Sequence, residues 1–109
     1  MTTVIWGEAE ARSEALVAEL ERITPILKSL PDVTDVWLFG SFIEDRVHAG
    51  SDLDILVIRE TDEPYIERTR TLWRAIRPQV PIDFFVYTQD EVKNDGRFIR
   101  YIKKHGRKL

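Results

Sequence analysis

Residues 36–58, VWLFGSFIEDRVHAGSDLDILVI, constrain everything around them. An apolar run ends in Gly40-Ser41, ten residues follow, and Asp52-x-Asp54 leads into a second apolar run. On an extended chain Asp52 and Asp54 point to the same side. Two carboxylates side by side repel unless a positive charge sits between them. A hard divalent cation sharing phosphate ligands is the usual answer. The Gly-Ser turn offers the other half of such a site. Gly40 leaves room for close backbone approach, and Ser41 supplies a hydroxyl donor. A short helix over Phe42–Val47 would aim its first amides at bound phosphate. No G-x-x-x-x-G-K-[ST] loop is present, which argues against a P-loop enzyme.

The flanking sequence supplies alternating helices and strands. Leu16, Leu20, Ile23, Leu27 and Leu30 form one apolar stripe at helical spacing, which predicts a helix over 8–30. Pro25 either kinks this helix or begins a second one capped by Thr24. Trp6 reads as an anchor for the N-terminal arm. Residues 33–39 and 53–59 are strands, apolar on both faces over much of their length, which calls for layers above and below. Asp62 is expected to cap the next helix, with Pro64 in its first turn and Ile66, Thr69, Trp73 and Ile76 facing inward. Arg68, Arg70, Arg74 and Arg77 on that helix read as solvated charge balancing acidic neighbours, with phosphate binding as the alternative. A third strand spans 82–87. Asp83 lies within it, and a carboxylate in an apolar strand is costly unless hydrogen-bonded, paired or metal-bound, the alternative being a solvent-facing strand end.

Thr88-Gln89-Asp90-Glu91 has the form of a capping box, so a short helix follows and breaks at Asn94-Asp95-Gly96. A last helix over 97–105 is expected to turn Phe98, Tyr101 and Ile102 inward and to stop at Gly106. Residues 93–109 hold seven Lys/Arg against Asp95 alone, so this end carries +6 and the remainder −9. Such a basic end is either a contact for an anionic ligand or acidic partner, or a solvated helix face.

The 109 residues suffice for a single domain over 1–109 with one core. There is no cysteine, which excludes disulfides and thiolate metal sites. No apolar run approaches the ~18–20 residues that span a bilayer, and the N-terminus lacks a signal-peptide pattern, so the cytoplasm is the expected compartment.

Gly-Ser, ten residues and Asp-x-Asp at the start of a strand resemble the minimal nucleotidyltransferases of the DNA polymerase β superfamily. The likeness runs from about Val36 to Thr88. It implies an α+β fold, a mixed β-sheet packed by helices. It also implies transfer of a nucleotidyl group from a nucleoside triphosphate, ATP being expected, to an acceptor hydroxyl with two Mg2+ ions. On this resemblance Asp52, Asp54 and Asp83 are the catalytic and metal-binding carboxylates, and Gly40 and Ser41 hold the β- and γ-phosphates. One departure is visible. Many members carry Ala-Arg-Gly after Gly-Ser-x, whereas this chain has Ile43, Glu44 and Asp45. Arg46, two positions later, is the candidate to reach the same phosphates. His48 in the same loop reads as a solvated histidine.

Small members of this family are often antitoxins that silence a HEPN-type ribonuclease toxin by attaching AMP to a tyrosine. That implies a HEPN-type protein partner. The alternatives are the nucleotidyl-transferring half of a two-subunit enzyme acting on a small molecule such as an antibiotic, and a non-catalytic module that binds its partner by contact alone. Neither a membrane nor direct nucleic-acid binding is expected. A homo-oligomer stays open.

Overall fold

The computed structural model describes residues 2–44 and 52–109. Arg46 and His48, and the second half of the helix expected over Phe42–Val47, lie outside the described residues, as does the side chain of Trp6. In chain order the elements are α1 (Thr2–Ser29), β1 (Val33–Phe39), β2 (Leu53–Arg59), α2 (Tyr65–Ile76), β3 (Ile82–Tyr87), α3 (Gln89–Asn94), α4 (Gly96–His105) and β4 (Arg107–Lys108). They form an α+β fold, a mixed four-stranded sheet packed by helices.

The sheet order is β3-β2-β1-β4. β1 runs antiparallel to both β2 and β4, while β2 and β3 are parallel and joined through α2. Strand β2 is central, and every residue in it except Asp54 is buried. This is what a strand apolar on both faces requires. On one face, Leu16, Ile23 and Leu27 of α1 and Leu72 and Ile76 of α2 pack against Leu53, Ile55 and Val57. On the other, Ile99 and Ile102 of α4 pack against Phe39, Leu56 and Ile58. Each such side chain, fully buried, contributes ~1.5–3 kcal/mol. Among the described residues no helix is long and apolar enough to cross a membrane.

Three details differ from the sequence expectation. α1 is one helix with Pro25 inside it, and it starts earlier than the stripe suggests. Pro25 lies on the exposed side, where the carbonyl it leaves without a donor can be hydrated.

α2 begins at Tyr65 after Pro64, without a side-chain cap from Asp62. Its inward residues are Arg68, Leu72 and Ile76, while Ile66 and Trp73 are 66% and 44% exposed. Arg68 can face inward because Nε and Nη1 of its guanidinium both find acceptors. It donates to Glu63 O at 2.8 Å, Val86 O at 3.2 Å and Glu91 Oε1 at 2.6 Å. The bond to Val86 also covers part of the open edge of β3, which would otherwise offer unpaired backbone groups.

α4 buries Ile99 and Ile102, with Phe98 half-buried, and leaves Tyr101 exposed. The helix stops at Gly106, where an added Cβ would lie 2.6 Å from both Ile102 O and Leu38 O. That close approach lets Arg107 and Lys108 pair with Leu38 and Trp37 as β4, a strand the sequence pattern does not show.

The expected capping box of α3 is present. Thr88 N–H donates to Glu91 Oε1 at 2.8 Å, and Glu91 N–H donates to Thr88 Oγ1 at 3.3 Å.

Candidate active site

Strand register builds the site. Across the sheet, Phe39 of β1 stands opposite Asp54 of β2, and Asp54 stands beside Asp83 of β3. Side chains alternate along a strand. Leu53, Ile55 and Val57 therefore enter the α1/α2 core, and Asp52 and Asp54 emerge on the α4 side with Leu56 and Ile58. Asp83 emerges on the same side as Phe85 and Tyr87. One carboxylate oxygen from each of Asp52, Asp54 and Asp83 lies within 4.8 Å of the others.

The electrostatics follow from this crowding. Burial, and then the charges of Asp52 and Asp83, push Asp54 from the usual 3.8 up to about 6. Asp83 is also raised, by burial, by the charge of Asp52 and by a hydrogen bond with it. Asp83 is exposed, whereas Asp52 and Asp54 are half-buried. Three hard oxygen donors that repel one another fit a hard divalent cation.

Gly40 closes the cluster from the β1 side. Its φ of +85° is a conformation that residues with a Cβ rarely adopt. A Cβ there would also fall 2.0 Å from Asp54 Oδ2 and 2.9 Å from Asp54 Cγ. Ser41 follows, half-buried, in a turn over residues 41–44 in which Glu44 N–H donates to Gly40 O at 3.1 Å. The structure thus brings together Asp52, Asp54, Asp83 and the Gly40-Ser41 turn, while Arg46 lies outside the described residues.

Two features of this end are not visible in the sequence pattern. The Tyr101 hydroxyl donates to Glu44 Oε2 at 3.0 Å, so α4 is tied to the turn after Gly40-Ser41. Beside it, Phe39, Phe85 and Phe98 pack with ring centroids 5.4–5.6 Å apart and back the acidic cluster with an aromatic wall. A separate apolar groove of about 540 Å³ lies on the outer surface of α2, lined by Tyr65, Ile66 and Trp73 among others. None of the three carboxylates lines it.

The sequence profile of the family described as "Polymerase beta, Nucleotidyltransferase" matches residues 21–109. No curated protein matches the chain. A crystal structure of a candidate nucleotidyltransferase from Sulfolobus solfataricus superposes with a TM-score of 0.59 at 22% identity, covering 80% of this chain and 79% of that one. Two further structures superpose more loosely. One is a toxin–antitoxin with AMP-PNP (TM-score 0.47, 17% identity, 88% of this chain and 70% of that one). The other is a mutant form of the toxin–antitoxin MntA-HpeT (TM-score 0.49, 20% identity, 82% and 69%).

Proposed function

The chain belongs to the polymerase β nucleotidyltransferase family, and from that premise we propose that it transfers AMP from ATP to an acceptor hydroxyl. The observation that carries this reading is the convergence of Asp52, Asp54 and Asp83 to within 4.8 Å, with Gly40 closed against Asp54. Asp52 and Asp54 would hold two Mg2+ ions, and Asp83 would be a further ligand for the catalytic one. When bound, the ions neutralise phosphate charge and stabilise the attacking and leaving oxygens of an in-line displacement.

The chain's own groups set the geometry. β2 fixes Asp52 and Asp54 on one side of the sheet, and Gly40 keeps the space beside Asp54 clear. Ser41 donates a hydrogen bond to the phosphates, with Arg46 as a second phosphate contact. Asp83, the exposed member on edge strand β3, lies where an acceptor hydroxyl can approach from solvent.

The acceptor in this reading is a tyrosine on a HEPN-type toxin, and the chain is its antitoxin. This rests on the Gly-Ser…Asp-x-Asp likeness to small antitoxin nucleotidyltransferases. One observation favours a second reading, a module that neutralises its partner by contact. Acidic Glu44 stands where many members carry arginine and is held by Tyr101.

Incubation with α-labelled ATP, Mg2+ and the toxin separates the two. Label on the toxin that disappears with Asp52→Asn, Asp54→Asn or replacement of the acceptor tyrosine by phenylalanine supports transfer. Neutralisation of the toxin without label, undiminished by Asp54→Asn, supports contact. Full activity of Asp83→Asn would remove Asp83 from the catalytic set.

A further inference from the structure

We propose that the outer faces of α1 and α2 form a two-fold interface between copies of this chain. α2 turns Tyr65, Ile66 and Trp73 to solvent at 43%, 66% and 44% exposure, although three apolar residues on one short helix normally face a core. With Thr69, Arg70 and Arg74 they line the groove of about 540 Å³. Aromatic residues with arginine at the rim are the composition of an interface centre rather than of a solvated surface. Arg70 is paired with Glu67 on its own helix at 2.8 Å. Arg74 has no ion pair among the described residues.

The occupant is argued from charge and position. α1 carries the complement on its outer side. Val17 is 41% exposed, Ala18 is exposed and small, and Glu10, Glu14 and Glu21 surround them, all exposed. α1 and α2 cover the same face of the sheet. A two-fold axis running along these helices therefore lays α1 over the second copy's α2 and α2 over the second copy's α1. The acidic–basic match is then made twice, as an isologous interface requires. The carboxylate cluster emerges on the opposite sheet face, so this dimer leaves the site open.

Sedimentation velocity tests this through charge reversal. The parent chain is expected to show a doubled mass at concentrations up to ~200 μM, reached at lower concentration as salt is reduced. Glu14→Arg/Glu21→Arg opposes arginine to arginine at both contacts. Arg70→Glu/Arg74→Glu opposes glutamate to glutamate. Each double variant alone should weaken dimerisation by ~10–100-fold. Mixed in equal amounts they should recover the doubled mass, because each contact in the heterodimer is again of opposite charge. A misfolded variant could not be rescued by mixing. Trp73→Ala, truncating an exposed side chain, gives an independent reading and should weaken the parent dimer by at least ~10-fold. A parent chain that is monomeric throughout, a mixture that stays monomeric, or a dimer indifferent to Trp73→Ala would each overturn the proposal.

Discussion

Asp54 is the residue on which charge, backbone and neighbours converge. Burial and two adjacent carboxylates hold its pKa at about 6, so the folded chain keeps this proton more tightly than the unfolded chain. A raised acid of this kind contributes stability that is complete below pH ~4 and lost as pH rises through ~6. Metal-free protein should therefore lose ~1–3 kcal/mol across that window, the lower end reflecting the half-exposed position. Asp54→Asn should flatten the slope and be equally or more stable than the parent at pH 7. Chemical denaturation in EDTA between pH 4 and 8 measures this. With a dissociation constant of ~1 mM, ~10 mM Mg2+ should return about 1.4 kcal/mol to the parent and little to the variant. A parent whose stability ignores Mg2+ would count against the metal site.

Gly40 makes a second prediction at this scale. Gly40→Ala places a methyl 2.0 Å from Asp54 Oδ2 on a backbone of positive φ. It should cost at least ~1–2 kcal/mol and displace Asp54, so nucleotide transfer falls with the melting temperature. The sequence pointed to Gly40 for phosphate approach. Its contact with a carboxylate fourteen positions away depends on the register of β1 against β2, which local sequence does not state.

Among the elements, β1, β2 and β3 were legible to the residue because each is a largely apolar run flanked by turn or charged residues. The helices were legible as helices, and so was the buried stripe of α1, but the buried face of α2 was not. In α2 the stripe Ile66, Thr69, Trp73, Ile76 and the stripe Arg68, Leu72, Ile76 both have helical spacing. Apolarity favoured the first, and the structure uses the second because Glu63, Val86 and Glu91 surround the Arg68 guanidinium with acceptors. Arg68→Ala leaves those acceptors without their donor and should cost ~2–4 kcal/mol by thermal or urea unfolding. Arg68→Lys should recover only part, since one ammonium cannot reproduce the planar fork. α2 ends on Arg77 at φ 49° and ψ 68°, the left-handed cap that glycine fills without strain. Arg77→Gly should stabilise the fold by ~0.5–1 kcal/mol. β4 is not legible in the sequence because Arg107 and Lys108 contribute backbone bonds and no apolar pattern.

At the scale of the whole molecule, protection should follow sheet position. β2 has a neighbour on each side and six buried residues, whereas α3 buries none. Amide exchange should be slowest for Leu53–Arg59, approaching the free energy of global unfolding, and fastest among the helices for α3. Protection at α3 equal to that at β2 would contradict this layering.

β2 also ties the acidic cluster to the core in a way that limits how this chain can change. Leu53, Ile55 and Val57 face one layer, while Asp52 and Asp54 face the other. An insertion or deletion of one residue within β2 would swap the two sets, sending carboxylates into the α1/α2 layer and aliphatic side chains to the site. The folded state and the cluster would fail together. Relatives that have given up the cluster while keeping the fold should therefore show substitutions at positions 52, 54 or 83 rather than a displaced strand.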